Sequence, residues 1–250
     1  MVAKTAEERT AAAAGRALAR SALYQLLSQS LAYPSGDAVQ TLREADLPQA
    51  QEAADRLPAK LASRLARLAD EVRCRDAAQL QAEHRHIFSH VMSQDAPPCE
   101  TLYTASHLFQ ETNELSDIAG FYRAFGLEPA EQERLDHISV ELEFMQFLAY
   151  KEAYALLHHG EAKARLCRRA QRAFMRDHLG RWGLLFAQRL REKAGEGYFA
   201  SVAALAEEFL LTERRLLRTQ PEPAAVGPGQ WETGPEDSGC PAAEACPLVT

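Results

Sequence analysis

The 250-residue sequence predicts an all-α fold, a single helical bundle domain with a disordered C-terminal tail, and three observations carry that prediction. Apolar residues recur every three or four positions through most of residues 6–219, the spacing of one helix face. No stretch alternates apolar and polar with the period of a strand. Proline and glycine clusters separate the periodic stretches into lengths typical of globular helices.

The first amphipathic helix spans 6–33, with Leu18, Ala22, Leu23, Leu26, Leu27, Leu31 and Tyr33 forming a stripe that Pro34-Ser35-Gly36 ends. A second stretch follows Pro48, where Leu57, Leu61, Leu65, Leu68 and Val72 share a face and Pro58 interrupts. A third covers about 76–92. Asp95-Ala96-Pro97-Pro98 forces an extended loop, because each proline fixes its own φ and disfavours helix in the residue before it. The next helix, 103–125, stops at Gly126, a residue suited to a left-handed cap. The stretch 129–157 opens on Pro129 with Glu131 and Glu133 in its first turn and is apolar on several faces, through Ile138, Val140, Leu142, Phe144, Met145, Phe147 and Leu148. It is the central buried helix of this reading. Two further helices, 161–193 and 197–219, flank Gly195-Glu196-Gly197.

Residues 1–219 thus read as the folded domain and 220–250 as a Pro/Gly-rich acidic tail. Six of the twelve prolines fall in 221–250, with four glycines, five acids and no Lys or Arg. Such a composition cannot bury enough apolar surface to fold. The formal charge is −7, and the tail's five acids account for most of it. Nothing here builds a general basic field for nucleic acid or an anionic membrane. Five scattered cysteines fit reduced thiols better than a disulfide framework. No run of eighteen apolar residues spans a bilayer, and the amino-terminal region lacks a convincing secretory h-region, so the expected location is the cytoplasm.

Asp136-His137 lies near the start of the central helix, with Glu133 and Glu141 four residues either side of the histidine. Flanking acids favour the protonated imidazole. Two readings stay open: a surface charge network, or a small acidic patch beside apolar side chains that accepts guanidinium groups. His84, His86 and His90 form a second cluster, and Glu83-x-x-His86 has the spacing used by carboxylate-bridged diiron bundles, but no second copy exists. Cys240 and Cys246 supply two ligands at most. A metal- or cofactor-binding helical protein using these residues is therefore the alternative function, with no metal site or cofactor expected in the first reading. The sequence has neither a glycine-rich phosphate loop nor a G-x-S-x-G elbow, so neither a nucleotide-hydrolysing nor an esterase reading has a foothold.

Two blocks resemble the TorD/DmsD/NarJ family of molybdoenzyme maturation chaperones. Phe88 to Tyr103, FSHVMSQDAPPCETLY, is similar to the family's Pro-Pro-aromatic-Glu loop through Pro97, Pro98, Glu100, Thr101 and Tyr103, with Cys99 where an aromatic usually stands. DHISVELEFMQFLAYKEA resembles the Asp-His signature through Asp136, His137, Ile138, Glu141, Leu142, Phe144 and Met145. FMRDHLGRW (174–182) and YFASVAALAEEFL (198–210) resemble the last two helices. The likeness covers about 16–215 and looks nearest to the branch serving type II DMSO-reductase-family enzymes. It implies a chaperone, not an enzyme, that binds the twin-arginine signal region of an apo-molybdoenzyme catalytic subunit until its cofactor is inserted. By position it assigns peptide recognition to Asp136, His137, Pro97, Pro98 and Tyr103; Glu100 and Glu141 join them on charge grounds. The resemblance leaves the oligomeric state open between a monomer and a domain-swapped dimer.

Overall fold

The computed structural model describes residues 5–88, 95–128 and 134–224, and among these every regular element is helical. Helix α1 (Ala6–Leu31) opens on a capping box in which the Thr5 hydroxyl accepts from Glu8 N and the Glu8 carboxylate accepts from Thr5 N. Ala22, Leu23, Leu26, Leu27 and Leu31 of its expected stripe are buried, while Leu18 and Tyr33 face outward. After Pro34, Ser35 caps the short helix α2 (Gly36–Thr41), which runs through a π turn into α3 (Leu47–Glu52).

Pro58 starts helix α4 (Ala59–Cys74) rather than interrupting one, since a proline costs nothing where the first amides have no helical partner. Helix α5 (Ala77–Phe88) follows. The expected helix 103–125 is divided into a single turn, α6 (Thr101–Thr104), and α7 (Leu108–Ala124), because the His107 ring caps α7 by accepting from Gln110 N. Gly126, at φ +72°, ends α7 as its sequence position predicts.

The central helix α8 (Ile138–His158) begins nine residues later than the Pro129 signal suggests, with His137 as its N-cap; Pro129, Glu131 and Glu133 lie outside the described residues. It packs along α1 on one side and against α9 (Glu161–Asp177) on the other. The expected helix 161–193 is two: His178, at φ −128° and ψ −100°, breaks it before α10 (Leu179–Ala194). Helix α11 (Tyr198–Leu216) packs between α10 and α4. One apolar core joins these helices, with Trp182, Phe174, Phe186, Phe199, Phe209 and Tyr24 fully enclosed. At roughly 1.5–3 kcal/mol for each large side chain buried, this core is the main source of stability.

A buried ion cluster ties α1 to its neighbours through Arg20. Its guanidinium is buried and bonds Glu213 of α11 at 2.6–3.0 Å and Glu152 of α8 at 3.1 Å, with Gln171 of α9 as a further acceptor. Tyr24 donates to the same Glu213 at 2.8 Å.

Candidate functional site

The proline loop and the start of α8 are joined by backbone. Pro98 O accepts from Ile138 N at 2.8 Å and Asp136 O accepts from Glu100 N at 2.9 Å, an antiparallel bridge that sets Cys99 opposite His137. Prolines cannot donate, so the loop uses its carbonyls and the first available amide to bind the neighbouring segment. The Asp136 carboxylate completes the joint: it accepts from Thr101 N (3.1 Å), Thr101 Oγ1 (2.7 Å) and Arg134 Nε (2.9 Å). Burial would raise the Asp136 pKa, but Arg134 and the Thr101 donors more than offset it and hold the carboxyl below its ordinary value. Arg134 reaches on to Glu111 of α7 at 3.2 Å.

Beneath the joint lies a second polar cluster. Glu100 Oε2 is 3.2 Å from His178 Nδ1, at the break between α9 and α10, and His178 Nε2 is 3.2 Å from Asp117 Oδ2. Trp182 donates to Glu141 Oε2 at 3.2 Å, and Tyr103 packs its ring on Trp182 with centroids 5.3 Å apart. Glu100 and Glu141 are both fully buried and adjacent, and each has an Oε1 with no other partner. Burial first, then the neighbouring Glu100, drives the Glu141 pKa far up. A proton on Glu141 relieves the repulsion between the two carboxyls. Glu100 is raised by burial but steadied by His178, whose own pKa is carried upward by Glu100 and Asp117 against the effect of burial.

Residues 47–188, which include this whole joint, match the family described as nitrate reductase delta subunit. The chain belongs to that family. This bears out the resemblance to the TorD/DmsD/NarJ chaperones. The perchlorate reductase assembly chaperone protein of Dechloromonas aromatica (strain RCB) is 35% identical over 117 residues, 45% of this chain and 51% of that protein. The chain therefore spans about half the length of the curated relative it matches. A crystal structure of an Archaeoglobus fulgidus protein described as a redox enzyme maturation protein superposes with a TM-score of 0.51 at 24% identity, over 77% of this chain and 93% of that one. That likeness establishes the shared fold.

In this member of the delta subunit family, the residues singled out from sequence converge on one end of α8 with an unexpected orientation. Asp136, Glu100, Glu141 and Tyr103 are buried, so the carboxylates are not an open acidic rim. Pro97 is buried; Pro98 and His137 are half-buried and face outward more than the rest. His137 is not protonated at neutral pH as its acidic neighbours suggested: burial lowers its pKa to about 4 against the pull of Asp136, and Arg134 adds to the depression. Its Nδ1 lies 2.6 Å from Ser139 Oγ. Cys99, in the place of the usual aromatic, is enclosed, and burial beside Asp136 pushes its thiol to about 12, so it is not a reactive thiol.

Of the histidine cluster, only His84 and His86 lie among the described residues. His84 turns inward, its ring 4.7 Å from Phe88 and 5.2 Å from Tyr33, and burial together with nearby His137 lowers its pKa to about 4. His86 faces outward beside Glu83, which Arg75 engages at 2.5 Å, and His90 lies outside the described residues, as do Cys240 and Cys246. Among the described residues no three His, Cys, Asp or Glu side chains are placed to hold a metal ion. His178 and Trp182, which complete the buried cluster, went unassigned from sequence; an isolated histidine beside a tryptophan in an otherwise basic helical run was the available signal.

Proposed function

We propose that this protein is a cytoplasmic, non-enzymatic assembly chaperone for a molybdenum oxidoreductase of the DMSO reductase family. It holds the N-terminal twin-arginine signal region of the apo catalytic subunit while the molybdenum cofactor is inserted, and so prevents premature export. The observation that carries this reading is the family match across the joint of the proline loop with α8. The name of the perchlorate reductase relative points the same way. Among the described residues no helix is long and apolar enough to cross a membrane.

The geometry suits recognition rather than catalysis. His137 and Pro98 form the contact surface, together with half-buried Leu102 and Ser139. Asp136, Glu100, Glu141, Pro97 and Tyr103 act from beneath as positioning residues: they fix the loop in the one register that presents this surface. A rigid surface saves the entropy that ordering a loop on binding would cost. A leader peptide that buries about four apolar side chains at roughly 1.5–3 kcal/mol each, less its ordering cost, binds in the micromolar range. That strength permits handover.

The test is calorimetric titration of the full chain with the synthetic leader of a molybdenum oxidoreductase catalytic subunit from the same organism. The expected result is one-to-one binding at micromolar Kd or tighter to a monomer or a domain-swapped dimer. Absence of heat with every such leader would remove the reading.

A further inference from the structure

Helix α9 presents a charged face to which the proposed function assigns no role. Arg165, Arg169, Arg172 and Arg176 follow one another at intervals of four, three and four residues, so they form a single stripe along the helix, and all four are exposed. Among the described residues no hydrogen bond or ion pair engages the side chains of Arg165 or Arg169. Arg172 donates to Leu217 O at 2.7 Å, and Arg176 pairs with its neighbour Asp177. Like charges at these spacings repel and weaken a helix, yet the stripe stands in a chain whose formal charge is −7.

The chain leaves the bundle beside this stripe. Beyond α11, Leu217 O takes the Arg172 hydrogen bond, Pro221 lies against Gly180, and Ala224 N donates to Arg181 O at 3.1 Å. Ala224 therefore sits at the corner between α9 and α10, next to the Arg176 end of the stripe. The residues that follow, 225–250, carry Glu232, Glu236, Asp237 and Glu244 and no Lys or Arg.

We propose that the arginine face of α9 is the docking surface for the chain's own acidic segment, residues 225–250. Reach permits it. The stripe lies on a helix of 17 residues, about 25 Å long. At roughly 3.3–3.6 Å per extended residue, Glu232 reaches about 26–29 Å from Ala224, and Glu236 and Asp237 reach further. Covalent linkage also sets the concentration, on the order of 1 mM for a short link, so even an acidic segment that binds in trans with a Kd of about 0.1 mM is docked about nine-tenths of the time. An acidic partner surface arriving at α9 then has to displace the segment.

The experiment uses the full chain and a glutamate-specific protease, with mass spectrometry following cleavage after Glu232 and Glu236. At about 0.1 M salt, Arg165→Glu/Arg169→Glu is expected to raise the cleavage rate about tenfold over the parent, because cleavage tracks the undocked population. Arg165→Lys/Arg169→Lys should keep the parent's rate. At about 1 M salt, where charges are screened beyond roughly 3 Å, parent and double variant should become equal. Equal rates at low salt would overturn the proposal, as would protection that survives high salt. Arginine-dependent binding of anionic vesicles or nucleic acid by the full chain, with no change in cleavage between parent and variant, would assign the stripe to another partner and overturn it too.

Discussion

Glu141 keeps a proton that an exposed glutamate loses, and this places a testable constraint on the molecule. Its folded pKa lies above its unfolded value of about 4.3, so folding takes up a proton at pH values between the two. That contribution is fully present below about pH 4.3 and declines as pH rises toward the folded pKa. Glu141→Gln removes the titration but keeps a donor for Glu100 and an acceptor for Trp182. Its stability relative to the parent should therefore grow between about pH 5 and pH 8, measured by urea denaturation. A difference that stays flat across that range would mean the carboxyl is ionised in the fold. Asp136 titrates in the opposite sense: its depressed pKa adds stability above about pH 3.9, which is lost as pH falls through the folded value.

The element scale separates what the sequence announces from what it conceals. Periodicity located α1 and α11 to within a few residues and the start of α5 to within one, because each buries one face and is bounded by proline, glycine or an abrupt change of composition. The break at His178 stayed hidden. Residues 161–193 contain no proline, and their two glycines, Gly180 and Gly183, fall just after the break, where Glu100, 78 residues earlier, engages His178. The buried carboxylates were misread for the same reason: a glutamate signals a surface unless its partners are known, and His178 and Trp182 are distant in sequence. The late start of α8 has a local cause, since residues 134–137 form a turn, closed by His137 N donating to Arg134 O at 3.1 Å, before His137 caps the helix.

Gly180 makes the break sterically possible. A Cβ there would lie 2.1 Å from Met175 O and 2.5 Å from Pro221 Cγ, whereas one at Gly120, inside α7, would meet nothing within 4 Å. Gly180→Ala should cost about 1–3 kcal/mol through backbone displacement. Gly120→Ala should stabilise by up to about 1 kcal/mol, since alanine is the better helix former. Denaturation midpoints of the two variants check the contrast, and equal midpoints would show that the α9–α10 corner is loosely packed.

At the scale of the whole molecule, one arginine ties together helices that have little sequence contact. Arg20 of α1 meets Glu152 of α8, Gln171 of α9 and Glu213 of α11, and pairing is what makes so much buried charge tolerable. Arg20→Met leaves Glu213 enclosed with only the Tyr24 hydroxyl beside it and should cost about 3–5 kcal/mol. A loss below about 1 kcal/mol in urea denaturation would contradict this.

The same bundle gives the proline loop a rigid backing, which is what the proposed chaperone function needs. That claim is tested most directly by titrating a molybdoenzyme leader peptide into the parent, His137→Ala and Asp136→Ala proteins, with circular dichroism and size-exclusion chromatography to confirm that the variants are folded. The account predicts micromolar or tighter binding to the parent and a loss of about tenfold or more in each variant, as expected when about 1.4 kcal/mol of contact or preorganisation disappears. Folded variants that bind the leader as tightly as the parent would contradict it.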